Sequence, residues 1–270
     1  MKVFRMNISV LHIGIAGITG RVGRLLMEEI TSRDNAVLSG GTSLSKDIHD
    51  MPDSVQIFSD IASLVEKSDV IIDFTNATAT ETHAKALNNS KTAWILGTTG
   101  ISESVQKLIK ETAKTIPVVQ AANFSPGVTL ITRLAFELAK ALPADQYDAE
   151  IVETHHRQKV DAPSGTALAI GESIAKARKV DLGSVAEIGR KGFTGARKKD
   201  AIGFASLRGG QIVGEHSAIF LSDVEEIVLT HKAFDRRIFA KGAVRSAFWC
   251  INKPAGLYGM NHVLGLDPVK

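Results

Sequence analysis

Two adjacent histidines, a lysine three residues on and a Pro-Ser-Gly-Thr step mark the stretch ETHHRQKVDAPSGTAL, Glu153 to Leu168. These types suit capture of an anion and delivery of a proton. Ser164 is a natural N-cap for a helix that begins near Thr166. The N–H groups around Gly165 and Thr166 can then receive a carboxylate. Lys159 adds a full positive charge, and His156 can donate a hydrogen bond. His155 or Lys159 can pass a proton to a reacting atom, and the residue types leave both open. Other chemistries fit less well. Zinc needs a third ligand at suitable spacing, and only Glu153 and Asp161 are at hand, so no metal is expected. Ser164 lies outside a G-x-S-x-G frame. Cys250, the single cysteine, sits in an apolar run that suits a buried core thiol.

A second signal is GIAGITGRVGR, Gly14 to Arg24, which follows an apolar run and opens a helical pattern. Gly17, Gly20 and Gly23 allow the backbone to approach a pyrophosphate, and the helix start receives its charge. Thr19 stands where the common G-x-G-x-x-G pattern has its middle glycine. After the second strand come Thr42, Ser43 and Leu44, none of them acidic. A carboxylate there pairs with ribose hydroxyls and repels a ribose phosphate. Its absence, with Lys46 close by, predicts that NADPH serves at least as well as NADH. DFTNA (Asp73 to Ala77) and GTTG (Gly97 to Gly100) follow two further strands, at the carboxyl ends where such sheets bind ligands.

The elements that must position these residues are legible as patterns. Apolar runs at 11–16, 36–40, 69–74, 93–96 and 117–120 alternate with helical spacings at 22–31, 61–66, 80–89 and 102–115, the signature of βα units feeding a parallel sheet. Beyond Asn123-Phe124-Ser125-Pro126-Gly127 the pattern changes. A long helix at 128–141 and a strand at 148–153 precede the histidine motif. A helix at 166–177 follows it, then strand-like segments at 202–207, 211–217 and 225–231 and a helix at 239–251. These strands predict a mixed or antiparallel sheet. The chain has 270 residues, 44% hydrophobic, with a net charge of +3. Scattered basic residues and few aromatics argue against nucleic acid. No apolar run reaches membrane-spanning length, and a soluble cytoplasmic protein is expected.

Taken in order, GITGRVG, the DFT and GTTG loops, AANFSPGV (121–128), the histidine motif and HKAFDRRIFAKGAVRSAFW (231–249) resemble the dihydrodipicolinate reductase family over nearly the whole chain. The resemblance implies reduction of 4-hydroxy-tetrahydrodipicolinate with NADPH or NADH in the diaminopimelate route to lysine, by a homotetramer. It implies an α/β chain with an N-terminal Rossmann-type parallel sheet and a second α+β domain with a mixed sheet. The dinucleotide-binding domain would span 1–127 and be completed by 242–270; substrate binding and oligomerisation would fall to 128–241. Carried over by motif, His155 and Lys159 are catalytic. His156, Ser164, Gly165 and Thr166 bind the dicarboxylate. Gly17, Ile18, Thr19, Gly20, Arg21 and Val22, with Ser43, Gly97, Thr98 and Thr99, and Ala121, Ala122, Asn123 and Phe124, contact the cofactor. Many relatives carry an acid and an arginine where this chain has Ser43 and Leu44. Rival readings are a reductase of another carboxylated imine or carbonyl, and a non-catalytic NAD(P)H sensor.

Overall fold

The computed structural model describes residues 10–44 and 51–266; Lys46 lies outside them. The chain forms two compact units. Of the described residues, those up to Ser125 and from Arg237 on form one, and Pro126–Arg236 the other. Both changes fall at helix starts, slightly earlier in the chain than the boundaries set from sequence.

The first unit contains β1 (Leu11–Ala16), α1 (Arg21–Thr31), β2 (Ala36–Thr42), β3 (Ile57–Phe58), α2 (Ile61–Val65), β4 (Val70–Asp73), α3 (Ala77–Leu87), β5 (Ala93–Leu96), α4 (Glu103–Thr112) and β6 (Pro117–Gln120). The second contains α5 (Pro126–Ala141), β7 (Asp148–His155), α6 (Gly165–Arg178), α7 (Leu182–Val185), β8 (Ala186–Ile188), β9 (Ile202–Arg208), β10 (Gly214–Leu221) and β11 (Glu226–Ala233). The chain then returns to the first unit with α8 (Arg237–Cys250), β12 (Gly256–Tyr258) and α9 (Met260–Val263).

The first sheet has the order β12-β6-β5-β4-β1-β2-β3, with every pairing parallel. Order reverses at β1, between β4 and β2, the switch point of a doubly wound sheet. β4 is buried at all four residues because helices cover both faces. Val70 and Ile72 pack with Ile13, Ile15, Leu26 and Val244, whereas Ile71 packs with Leu64, Leu87 and Ile109. The period-2 alternation of a strand thus feeds two cores. α8 lies in the first of these, and Cys250 is fully buried there. Burial pushes its thiol up to about 12, so it stays protonated and unreactive.

The second sheet has the order β11-β10-β7-β9-β8. β10 pairs antiparallel with both β11 and β7, and β9 pairs parallel with β7 and β8, so the sheet is mixed. Its inner face packs Ala149, Ile151, Phe204, Ala218 and Phe220 against Ile131 and Ala135 of α5 and Ile170 and Ile174 of α6. Two segments run longer than the sequence pattern indicated. β7 continues to His155 and β10 to Leu221. The very short β3 and β12 escape periodicity altogether, because two or three residues carry no measurable alternation.

Candidate active site

Along β7 the buried face reads Ala149, Ile151, Glu153, His155. Residues two apart share a face, so the apolar core of the second unit turns ionic at the strand's end. Glu153 is fully buried. Its carboxylate accepts from His155 Nδ1 at 2.5 Å, from both Arg208 Nη atoms at 2.7 and 2.9 Å, and from the Ser164 backbone N–H at 3.2 Å. Ladder register supplies these partners: Ser206 of β9 and His216 of β10 lie opposite Glu153, and Arg208 lies opposite His155. Burial alone would raise the Glu153 pKa. The Arg208 fork, the Ser206 hydroxyl and His155 outweigh it and hold the carboxyl at about 2.

An ionised Glu153 accepts only, so the His155 proton sits on Nδ1 and Nε2 carries a lone pair. Burial lowers the His155 pKa against the upward pull of Glu153, and the charges of Lys159 and Arg208 lower it further. His155 is therefore a neutral imidazole held in one tautomer. A Cβ built on Gly214 would lie 3.0 Å from His155 Nε2, so a glycine of β10 gives that nitrogen its room.

α6 begins just beyond. Ser164, almost fully buried, caps it by accepting from Ala167 N–H at 3.1 Å. The first turn bears no acid, and a Cβ on Gly165 would meet nothing within 4 Å. The positive end of a helix fourteen residues long thus faces open space. His156 follows the strand, and its Nε2 lies 3.2 Å from Arg236 Nη2. Arginine only donates, so Nε2 accepts and the His156 proton sits on Nδ1. That Nδ1 is buried and has no hydrogen-bond partner among the described residues. Lys159 Nζ lies 2.7 and 2.8 Å from the two oxygens of Asp161, and this contact lowers the Asp161 pKa against a smaller upward push from burial. His155, His156, Lys159, Ser164, Gly165 and Thr166 all lie at or between the end of β7 and the start of α6.

The residues expected at a dinucleotide line one rim of the first sheet. Gly17–Val22 follow β1, Ser43 follows β2, Gly97–Thr99 follow β5 and Ala121–Phe124 follow β6. Gly17 has φ +78°, a conformation that favours glycine, and a Cβ on Gly23 would lie 2.3 Å from Gly17 O. α1 has Gly20 at its N-cap, so it has no side-chain cap, and its first turn carries no acid. Gly17, Thr19, Gly20, Thr42, Ser43 and Thr75 line a cavity of about 440 Å³. Thr98 Oγ1 is buried without a hydrogen-bond partner among the described residues. An uncapped helix start, a glycine turn and an orphaned hydroxyl on one rim fit a dinucleotide's phosphates and its polar nicotinamide end. Ile18 and Phe124 are fully buried, so their side chains serve the core and not the rim. A larger cavity, about 670 Å³, opens at the opposite rim near His12, Asp69 and Lys91, where strands begin and such sheets do not bind cofactors.

Family models described as dihydrodipicolinate reductase, N-terminus and C-terminus, match residues 11–124 and 127–264. The chain belongs to the dihydrodipicolinate reductase family. It is 56% identical to a 4-hydroxy-tetrahydrodipicolinate reductase of Gluconacetobacter diazotrophicus, over 95% of this chain and 98% of that one. A reductase of the same name from Granulibacter bethesdensis is 52% identical over 95% and 97%. Among solved structures, a dipicolinate-bound dihydrodipicolinate reductase from Paenisporosarcina sp. TG-14 superposes with TM-score 0.78 at 25% identity, covering 94% of this chain and 99% of that one.

Within this dihydrodipicolinate reductase fold, several groups have contacts that the sequence did not reveal. Arg208 and His216 lie 55 and 52 residues from the groups they contact. Asp73, of the DFT loop, is fully buried, with His83 Nδ1 at 2.7 Å and both the N–H and hydroxyl of Thr75 on its other oxygen, at 3.0 and 2.6 Å. The alternating GEHSAIF segment was the available clue to His216, since it puts a histidine on a core-facing position of a strand. No group of three His, Cys, Asp or Glu that could hold a metal ion occurs among the described residues. Nor is any helix there long and apolar enough to cross a membrane.

Proposed function

We propose that this protein reduces 4-hydroxy-tetrahydrodipicolinate to tetrahydrodipicolinate with a reduced nicotinamide cofactor, in the diaminopimelate route to lysine. The observation that carries the reading is the pairing, within one unit, of an oriented neutral imidazole with an open, positively polarised helix start. A cyclic dicarboxylate needs the second, and reduction of a polar double bond needs a proton as well as a hydride. When bound, the reduced nicotinamide supplies that hydride.

The chain's own residues then divide the work. The start of α6 at Ser164–Thr166 seats one carboxylate, and Lys159 leaves Asp161 to pair with it. His156 Nδ1–H, lacking an acceptor among the described residues, donates to the substrate. His155 Nε2 and the Lys159 ammonium are the two proton sources. His155 is neutral before substrate arrives, and two carboxylates placed near it favour its charged form. Substrate thereby loads the proton that His155 passes on.

On the first sheet's rim, Gly17–Val22 hold the pyrophosphate, and Gly97–Thr99 with Ala121–Phe124 take the nicotinamide end. Ser43, its hydroxyl 2.7 Å from that of Thr19, replaces the acid that selects NADH. NADPH should serve at least as well as NADH. We assign the protein to the cytoplasm and to a homotetramer. The outward face of the second sheet supports self-association, because it carries Val152, Leu207, Ile219 and Val228 with Leu207 and Val228 about half exposed. Sedimentation velocity tests the assembly. Oxidation of NADPH and, separately, NADH by freshly generated substrate tests the reaction. Turnover of other imines or carbonyls but not of this dicarboxylate would overturn it.

A further inference from the structure

His216 is buried on β10 and has no part in the chemistry above. Its ring packs edge-on against His155, centroids 5.0 Å apart. Nε2 lies 2.9 Å from Ser164 Oγ, while Nδ1 is buried with no hydrogen-bond partner among the described residues. Burial, helped by the neighbouring His155, pushes the pKa down to about 4, so the ring is neutral and bears one N–H. Placed on Nδ1, that proton would be an orphaned buried donor, which folded proteins avoid more strictly than an idle lone pair. Placed on Nε2, it donates to Ser164.

We propose that His216 is a positioning residue that fixes the Ser164 hydroxyl as a hydrogen-bond donor to the substrate carboxylate. A serine oxygen has two lone pairs and one proton. Ala167 N–H occupies one lone pair at 3.1 Å, and His216 Nε2–H occupies the other. The hydroxyl proton is left with one direction of use, outward to an acceptor. The start of α6 then presents donors only, which suits an ionised carboxylate and disfavours any group that must itself donate. This inference rests on the assignment of that helix start as the carboxylate seat.

Two measurements on the full-length protein test it. Long-range nitrogen–proton correlation spectra of histidine-labelled protein, with His216→Gln for assignment, should show His216 protonated at Nε2. Calorimetric binding of dipicolinate in the presence of NADP⁺ should then weaken about tenfold in Ser164→Ala and severalfold in His216→Leu. The double variant should be no weaker than Ser164→Ala alone, and His216→Gln, which can restore an N–H at the Nε2 position, should recover most of the affinity. The Nδ1–H tautomer beside normal dipicolinate binding would overturn the inference alone. Additive losses in the double variant would do the same, since His216 would then act independently of Ser164. Failure of the wild-type protein to bind dipicolinate would remove the carboxylate seat and the inference with it.

Discussion

Glu153 is the residue on which the proton chemistry turns, because it fixes the tautomer of His155 and shares its charge with Arg208. Glu153→Gln removes the pull that keeps the His155 pKa from falling further. The alkaline limb of the kcat/KM profile should move to lower pH, because less His155 is then protonated to act as donor, and stability should drop by about 3 kcal/mol because Arg208 loses its buried partner. A pH–rate series and urea titrations check the two effects. Lys159→Ala should lower kcat strongly and weaken dipicolinate binding while leaving cofactor affinity unchanged; near-normal turnover would return the proton to His155 alone. At the nucleotide rim, Asp60 lines the same cavity as Ser43 and caps α2 through Ser63 N–H at 2.8 Å. It brings a carboxylate to a place where β2 supplies none. Asp60→Asn keeps a capping side chain and should tighten NADPH relative to NADH, as read by fluorescence titration of each.

At the scale of elements, the site in the second unit is made where β7 hands over to α6, with β9 and β10 on either side. Strand β10 matters through an absence of side chain. Gly214 leaves 3.0 Å between a would-be Cβ and His155 Nε2, tighter than ordinary contact. Gly214→Ala should therefore displace the imidazole by a few tenths of an ångström and cost about tenfold in kcat, since small misplacements of a catalytic group are expensive. Its thermal midpoint should stay close to wild type, because φ at Gly214 is not in the left-handed region. A large loss of stability with kcat intact would assign the glycine to folding instead. The capping of α6 was readable from Ser164 in the sequence, because a cap is a local event. The second bond to Ser164, from β10, was not.

For the whole molecule, burial of neutral histidines links stability to pH. His216 falls from an unfolded value near 6.5 to about 4, and His155 and His231 are also lowered by burial. A depressed folded pKa means stability that is fully present above about pH 6.5 and is lost as pH falls towards 4, where only the unfolded chain takes up the proton. His216 alone contributes on the order of 3 kcal/mol across that window. Glu153, held at about 2 against an ordinary 4.5, extends the loss below pH 4.5. Urea midpoints should fall steadily from pH 7 to pH 4 and more steeply than in His216→Gln. A flat profile would mean that the ring is hydrated in the folded state.

The sequence alone determined the features that short-range spacing encodes. Strand runs such as DVIIDF, the turn around Gly17, the cap at Ser164 and the ordered motifs of the family need only a few neighbouring residues to be recognised. It also placed His155, His156 and Lys159 in one short segment, though it could not say which imidazole was oriented and which was free to donate. The tertiary structure decided that. Glu153 meets Ser206 and Arg208, and Ser164 meets His216, only because the β7–β9 and β7–β10 ladders adopt one register. Strand pairing across about fifty residues is set by the packing of the whole sheet, and a one-residue slip would turn these groups to the opposite face.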